Sequence, residues 1–247
     1  MAPGPQSRQG QSPPSSRFAT GRQTYLVAYN TICLVLWSTI TLRAALLVPV
    51  LVAHGKLHAL LPALQSLLTW TQTLALLELF HSLLGLVRAS PVATAIQVAS
   101  RVLLVWGILH PFPTVVETTN TFGRAVAGST TGPIAFSGLI AAWGVTECVR
   151  YGFFVAQLGT GRVPPWLSWL RYNTFFVLYP LGISCECLLV WLAVTPASEW
   201  KVANGYDVFL KVVLLIYIPG KQWLFQSLLS LIGSADTVQG VTSYTRT

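Results

Sequence analysis

The chain has 247 residues, of which 53% are hydrophobic and 9% are charged, and its formal net charge is +8. Soluble domains carry about 25% charged residues, so this composition excludes an ordinary soluble domain and predicts a membrane protein. The basic residues are scattered, which argues against a nucleic-acid partner and favours anionic lipid headgroups or a small anionic substrate.

The first 22 residues are rich in Pro, Ser, Gln, Gly and Arg and contain no apolar core. This composition predicts a disordered N-terminal tail at 1–22, without the apolar segment of a cleaved signal peptide. We predict a transmembrane domain at 23–233 and a flexible C-terminal tail at 234–247.

Six apolar stretches, each near the length of about 20 residues that a membrane helix needs, predict an all-α polytopic bundle. They lie at 25–48, 64–87, 92–112, 133–158, 166–194 and 207–232, with loops at 49–63, 113–132 and 195–206. The short links at 88–91 and 159–165 predict two pairs of antiparallel neighbours. The distribution of Lys and Arg in the loops favours cytosolic termini.

The fifth predicted helix carries Tyr172, Tyr179 and Glu186 at intervals of seven residues. Because an α-helix turns about 100° per residue, these side chains are predicted to share one stripe. A carboxylate in an apolar helix is costly, and its burial suits proton transfer near neutral pH. Pro180 and Gly182 are expected to loosen the helix so that a ligand can approach its backbone. We therefore interpret Glu186 as a candidate catalytic residue, against the alternative of a kinked packing helix.

Two other carboxylates, Glu78 and Glu147, lie within predicted membrane helices. For Glu78 we favour a polar network that ties helices together and includes His81. Glu147 and Arg150 are three residues apart, so they can pair on one helix face. For these two residues and Arg101, a structural network and a role in positioning substrate are equally compatible with the sequence.

The four cysteines, at positions 33, 148, 185 and 187, lie in apolar segments without the spacing of a zinc site. We expect them to be packing residues, and we expect no bound metal. None has the Cys-x5-Arg arrangement that cradles a phosphate group, so phosphatase activity is not expected.

Several ordered motifs resemble those of one family, the very-long-chain (3R)-3-hydroxyacyl-CoA dehydratases, also called protein tyrosine phosphatase-like proteins. They are TYLVAYN (24–30), LLELFHSLLGLV (76–87), IQVASRVLLVWGI (96–108), WGVTECVRY (143–151), LRYNTFFVLYPLGISCE (170–186) and YIPG (217–220). The resemblance implies a six-helix bundle in the endoplasmic-reticulum membrane, with both termini cytosolic. It implies dehydration of 3-hydroxyacyl-CoA to trans-2-enoyl-CoA, the third step of fatty-acid elongation.

The resemblance also implies roles for individual residues of this chain. The catalytic Tyr and Glu of the family correspond to Tyr179 and Glu186, and its supporting positions correspond to Arg101, Glu147, Arg150 and Gly182. We expect Glu186 to be the base at C2 and Tyr179 to donate a hydrogen bond to the departing hydroxyl or to the thioester oxygen. The two roles could also be exchanged. No metal or redox cofactor is required.

We expect the CoA phosphates to lie near Arg162 and Arg171 at the cytosolic mouth, with the acyl chain in a tunnel between helices. Expected partners are the substrate, membrane lipid, a fatty-acid elongase and the ketoacyl- and enoyl-CoA reductases. Two alternatives from other classes stay open at this point. One is a transporter, because intramembrane charges also mark ion paths, and the other is a non-catalytic scaffold of the elongation complex.

Overall fold

The computed structural model describes residues 16–117, 129–199 and 205–216, with side chains from residue 21 onward, and these residues contain helices but no β-strand. The helices are α1 (Ser16–Ala53), α2 (Leu60–Leu74), α3 (Leu76–Leu83), α4 (Pro91–Val102), α5 (Thr114–Glu117), α6 (Thr131–Thr160), α7 (Pro165–Asn173) and α8 (Phe175–Ser198). A 3₁₀ turn at Leu57–Ala59 precedes α2, and a π-helical segment at Leu103–Leu109 continues α4. Residues 206–216 are also helical.

Five helical stretches in the described residues are long and apolar enough to cross a membrane. They are Gly21–Ala53, Leu57–Leu83, Pro91–Leu109, Thr131–Thr160 and Phe175–Ser198. The described part of the chain is therefore all-helical, and the protein is a multi-pass membrane protein. The sixth predicted span, 207–232, is described only as far as residue 216, and its remainder, including the YIPG motif, lies outside the described residues.

Several predicted boundaries differ from the observed ones. The predicted loop at 49–63 is present but shorter, because α1 continues through Pro49 to Ala53 and helix resumes at Leu57. The second span ends at Leu83, before Gly85, whose φ of 67° is a left-handed conformation that stops a helix. Helix α1 begins at Ser16, inside the predicted tail, and residues 1–15 lie outside the described part of the chain.

Helix α6 is the centre of the bundle and packs against both α1 and α8. Its buried side chains include Phe136, Leu139 and Ile140. In a membrane, close packing rather than removal of apolar surface from water holds helices together, so small residues matter at the contacts. At Gly144 an added Cβ would overlap Thr41 Oγ1 of α1. The charged side chains of α6, Glu147 and Arg150, bind side chains of neighbouring helices.

The fifth predicted span is divided in the structure. Helix α7 ends at Asn173 and α8 begins at Phe175, with Thr174 between them. Tyr172 lies on α7 and is 50% exposed, whereas Tyr179 and Glu186 share α8. The predicted stripe therefore holds for Tyr179 and Glu186 and excludes Tyr172. The helix runs through Pro180 and Gly182 without ending.

Candidate active site

Glu186 is buried at the contact between α8 and α6. Its side chain is 6% exposed, and the indole Nε1 of Trp143 on α6 donates a hydrogen bond to its Oε1 at 2.9 Å. Trp143 is itself only 5% exposed. A carboxylate enclosed in this way is removed from bulk water but still held by a directional donor, which is the environment that a buried proton acceptor needs.

Tyr179 precedes Glu186 by two helical turns on the same face of α8, about 10 Å along the helix axis. The Tyr179 side chain is partly buried, and its ring packs on Phe175 with a centroid distance of 4.7 Å. Two polar groups at this spacing on one face can address different atoms of an elongated ligand lying along the helix.

Beside this face lies a group of four charged residues, Glu78, Arg101, Glu147 and Arg150, which we call the four-charge cluster. Arg150 donates to Glu147 Oε2 through Nε at 2.9 Å and through Nη2 at 2.5 Å. It also donates to Glu78 through Nη1 at 3.1 Å and through Nη2 at 2.7 Å. Arg101 forms an ion pair with the other oxygen of Glu147, Oε1.

The four-charge cluster joins three helices, since Glu78 lies on α3, Arg101 on α4, and Glu147 and Arg150 on α6. The side chain of Glu147 is completely buried. Two carboxylates balance two guanidinium groups, so the cluster avoids the large cost of an unpaired charge in the membrane interior. The hydroxyl of Tyr151 adds a donation to Glu78 Oε1 at 2.5 Å.

Trp143 places the four-charge cluster next to Glu186. The guanidinium carbon of Arg101 lies 5.7 Å from the centroid of the Trp143 ring, within the range of a cation–π contact. On α6, Trp143, Glu147, Arg150 and Tyr151 follow the i, i+4, i+7, i+8 pattern of one helix face. The structure thus brings the predicted residues Arg101, Glu147, Arg150 and Glu186 into one connected group.

Gly182 and Arg171 lie at the edges of this group. A Cβ built on Gly182 would meet Ala142 Cβ at 3.6 Å, an ordinary contact, so packing alone does not require glycine there. Arg171 lies on α7, with its guanidinium carbon 4.2 Å from the Phe153 centroid and 5.2 Å from that of Phe154. Its Nη1 is buried without a hydrogen-bond partner among the described residues. Burial lowers the pKa of Arg171, but an arginine remains cationic.

Two features of the site were not predicted. Glu78 was assigned to a network with His81, but it binds Arg150 and Tyr151, while His81 Nε2 contacts the Tyr25 hydroxyl at 2.7 Å. Trp143 was not singled out as a site residue at all. Its spacing of four residues before Glu147 is the signal that places it on the same face of α6.

Within the residues that the structure describes, no group of three or more His, Cys, Asp or Glu side chains could hold a metal ion.

Comparison with known proteins identifies the family. Residues 72–231 match the family model described as protein tyrosine phosphatase-like protein, PTPLA. A probable very-long-chain (3R)-3-hydroxyacyl-CoA dehydratase of Schizosaccharomyces pombe is 38% identical, over 83% of this chain and 89% of the relative. The dehydratase PASTICCINO 2A of Oryza sativa is 36% identical, over 85% and 91% of the two chains. The chain belongs to this family.

A human member, very-long-chain (3R)-3-hydroxyacyl-CoA dehydratase 2, is 31% identical, over 79% of this chain and 74% of the relative. The family model spans the four-charge cluster, Trp143, Tyr179 and Glu186, so the whole candidate site lies within the matched region. No solved structure matches the fold significantly.

Proposed function

We propose that this protein removes water from (3R)-3-hydroxyacyl-CoA in the very-long-chain fatty-acid elongation cycle, with Tyr179 and Glu186 as its catalytic pair. The activity is that of a carbon–oxygen hydro-lyase, in agreement with the names of its dehydratase relatives. One observation carries the catalytic assignment. Glu186 is buried, accepts a hydrogen bond from Trp143 of α6, and lies on the same face of α8 as Tyr179.

In this mechanism Glu186 accepts the proton from C2 of the substrate. The electron pair of the C–H bond becomes the C2–C3 double bond, and the C3 hydroxyl leaves as water after it receives a proton. Tyr179 donates to the departing hydroxyl or to the thioester oxygen, on which negative charge develops. If elimination is syn, Glu186 can return the C2 proton to the hydroxyl, and the enzyme regains its starting protonation state directly.

The substrate would enter from the cytosolic side into a six-helix bundle completed by the segment at 207–232. Arg162 and Arg171 would bind the phosphates of CoA. The buried Nη1 of Arg171, which has no hydrogen-bond partner among the described residues, supports this assignment. The pantetheine arm would then extend inward along α8, and the acyl chain would occupy a tunnel between helices.

The location that fits this function is the endoplasmic-reticulum membrane, with both termini in the cytosol. The substrate comes from an elongase and a ketoacyl-CoA reductase, and the product is consumed by an enoyl-CoA reductase. We propose these enzymes as partners, because a membrane-bound acyl chain passes most readily between neighbouring proteins.

The test uses purified protein in liposomes and defined (3R)-3-hydroxyacyl-CoAs of several chain lengths. We expect Tyr179→Phe and Glu186→Gln each to lower kcat by about 10²–10⁴-fold, the usual contribution of a general acid or base. Tyr172→Phe is the matched control, since Tyr172 is exposed on α7. Wild-type turnover in either site variant would remove that residue from the chemistry.

The two alternatives predict different results. A transporter would move ions or solutes across liposomes without converting any hydroxyacyl-CoA. A scaffold would still support elongation in cells as the Tyr179→Phe/Glu186→Gln double variant.

A further inference from the structure

The indole of Trp143 has few ways to move. Its ring packs edge-on against Trp37 of α1, with a centroid distance of 6.4 Å and an interplanar angle of 79°. Arg101 of α4 lies over the ring at 5.7 Å. An indole has only one N–H donor, and here that donor is used for Glu186 at 2.9 Å. The direction of this hydrogen bond is therefore set by α6, which carries the indole, and by the contacts of the indole with α1 and α4.

The contact matters because a glutamate side chain has three rotatable bonds and therefore several rotamers. A donor fixed in direction selects those in which Oε1 faces Trp143 and so orients the carboxyl plane. Proton abstraction depends steeply on such orientation. The cation over the indole face also draws electron density from the ring, which strengthens N–H donation.

We propose that Trp143 is a positioning residue that orients Glu186 for proton transfer. Arg101 couples the geometry of the four-charge cluster to this orientation, because it contacts both Glu147 and the Trp143 ring. This inference rests on the proposed function, because it takes Glu186 as the acid–base group. It gives the four-charge cluster a second role besides holding α3, α4 and α6 together. Arg101, bound to Glu147, holds the Trp143 indole in place, and the indole in turn holds the carboxylate of Glu186.

The first experiment compares Trp143→Phe with Trp37→Phe, in the presence of substrate carrying hydrogen or deuterium at C2. Trp143→Phe removes the N–H but keeps an aromatic ring. We expect kcat to fall about tenfold to a hundredfold, as for loss of a hydrogen bond to a charged group, with little change in KM. The primary isotope effect on kcat should rise, because C2 proton abstraction becomes more rate-limiting. Trp37→Phe makes the same change in the same core but keeps the Trp143 N–H and an aromatic ring against the indole, so it should lower kcat and raise the isotope effect much less.

Thermal melting of each variant separates loss of function from loss of fold. If Trp143→Phe does not fold, replacement of Trp143 by 3-benzothienylalanine keeps the ring shape and removes only the donor. Equal losses of kcat in the Trp143 and Trp37 variants, or an unchanged isotope effect in the donor-free variant, would overturn the proposal. Wild-type turnover by Glu186→Gln would instead contradict the proposed function.

The second experiment tests transmission through Arg101. Arg101→Lys keeps a positive charge near Glu147 but loses the planar group over the indole. We expect it to lower kcat clearly when Trp143 is present and only slightly in the Trp143→Phe background. Independent, additive effects of the two substitutions on kcat would show that Arg101 does not act through Trp143.

Discussion

Arg150 on α6 holds Glu78 on α3 by two hydrogen bonds, from Nη1 at 3.1 Å and from Nη2 at 2.7 Å. The planar guanidinium fork matches the two oxygens of the carboxylate, and Nε and Nη2 also donate to Glu147. A single side chain thus connects two acids on different helices. This geometry makes the identity of the cation, and not only its charge, important for the bundle.

We expect Arg150→Lys to destabilise the protein by about 1.5–3 kcal/mol, because an ammonium group cannot serve both carboxylates with the same geometry. Thermal melting in detergent or nanodiscs measures the change. Arg43→Lys is the control, since Arg43 is exposed on α1 and forms no ion pair within the described residues. Equal melting temperatures for the two variants would contradict the bridging role of Arg150.

The close approach of α1 to α6 at Gly144 gives a second prediction. A Cβ at this position would overlap Thr41 Oγ1 and lie 3.2 Å from Thr41 Cβ. We expect Gly144→Ala to destabilise the bundle by about 1–3 kcal/mol, the usual effect of overpacking. The double variant Thr41→Ala/Gly144→Ala should recover part of the loss, as measured by thermal melting. Absence of any recovery would place the strain elsewhere.

At Gly182, unlike Gly144, the packing leaves room for a Cβ atom. An added methyl group would meet Ala142 Cβ at 3.6 Å, so Gly182→Ala should fold normally. If Gly182 lets substrate approach the backbone of α8, this variant should lose at least about tenfold in kcat/KM, ~1.4 kcal/mol, while its melting temperature stays unchanged. Full activity of Gly182→Ala would remove Gly182 from the supporting residues.

We expect Arg171 to contribute to binding of the CoA part of the substrate and not of its acyl chain. We expect Arg171→Ala to raise KM for 3-hydroxyacyl-CoA about tenfold, as for loss of one hydrogen bond to a charged group. KM for the corresponding pantetheine thioester, which lacks the nucleotide phosphates, should change little. Arg43→Ala serves as the control, because its predicted position is at the opposite side of the membrane. An equal rise in KM for both thioesters would point to a general change in the site.

Much of the architecture could be predicted because the membrane imposes strong local constraints. A span needs about 20 apolar residues, and this requirement located the regions of all five observed candidate spans. Their ends were predicted less well, since an apolar residue at a membrane boundary can extend a helix or begin a loop. Pro49 illustrates the point, because it was assigned to a loop and lies inside α1.

For the site, helix periodicity predicted that Tyr179 and Glu186 share a face and that Glu147 can pair with Arg150. Both relationships depend on residues within one helix. The partners of Glu78 could not be predicted, because Arg150 is 72 residues away and only the tertiary fold brings the two side chains together. Local spacing favoured His81, which instead meets Tyr25.

By itself, the sequence determined that the chain is a membrane protein, how it divides into membrane helices, and which face of α8 carries Tyr179 and Glu186. These follow from hydrophobicity and from the 100° turn per residue, which are local properties. Only the tertiary structure decided that Trp143 binds Glu186, that Arg101 lies over Trp143 and that Glu78 completes the four-charge cluster. Such contacts join different helices, and their existence depends on how the whole bundle packs around α6.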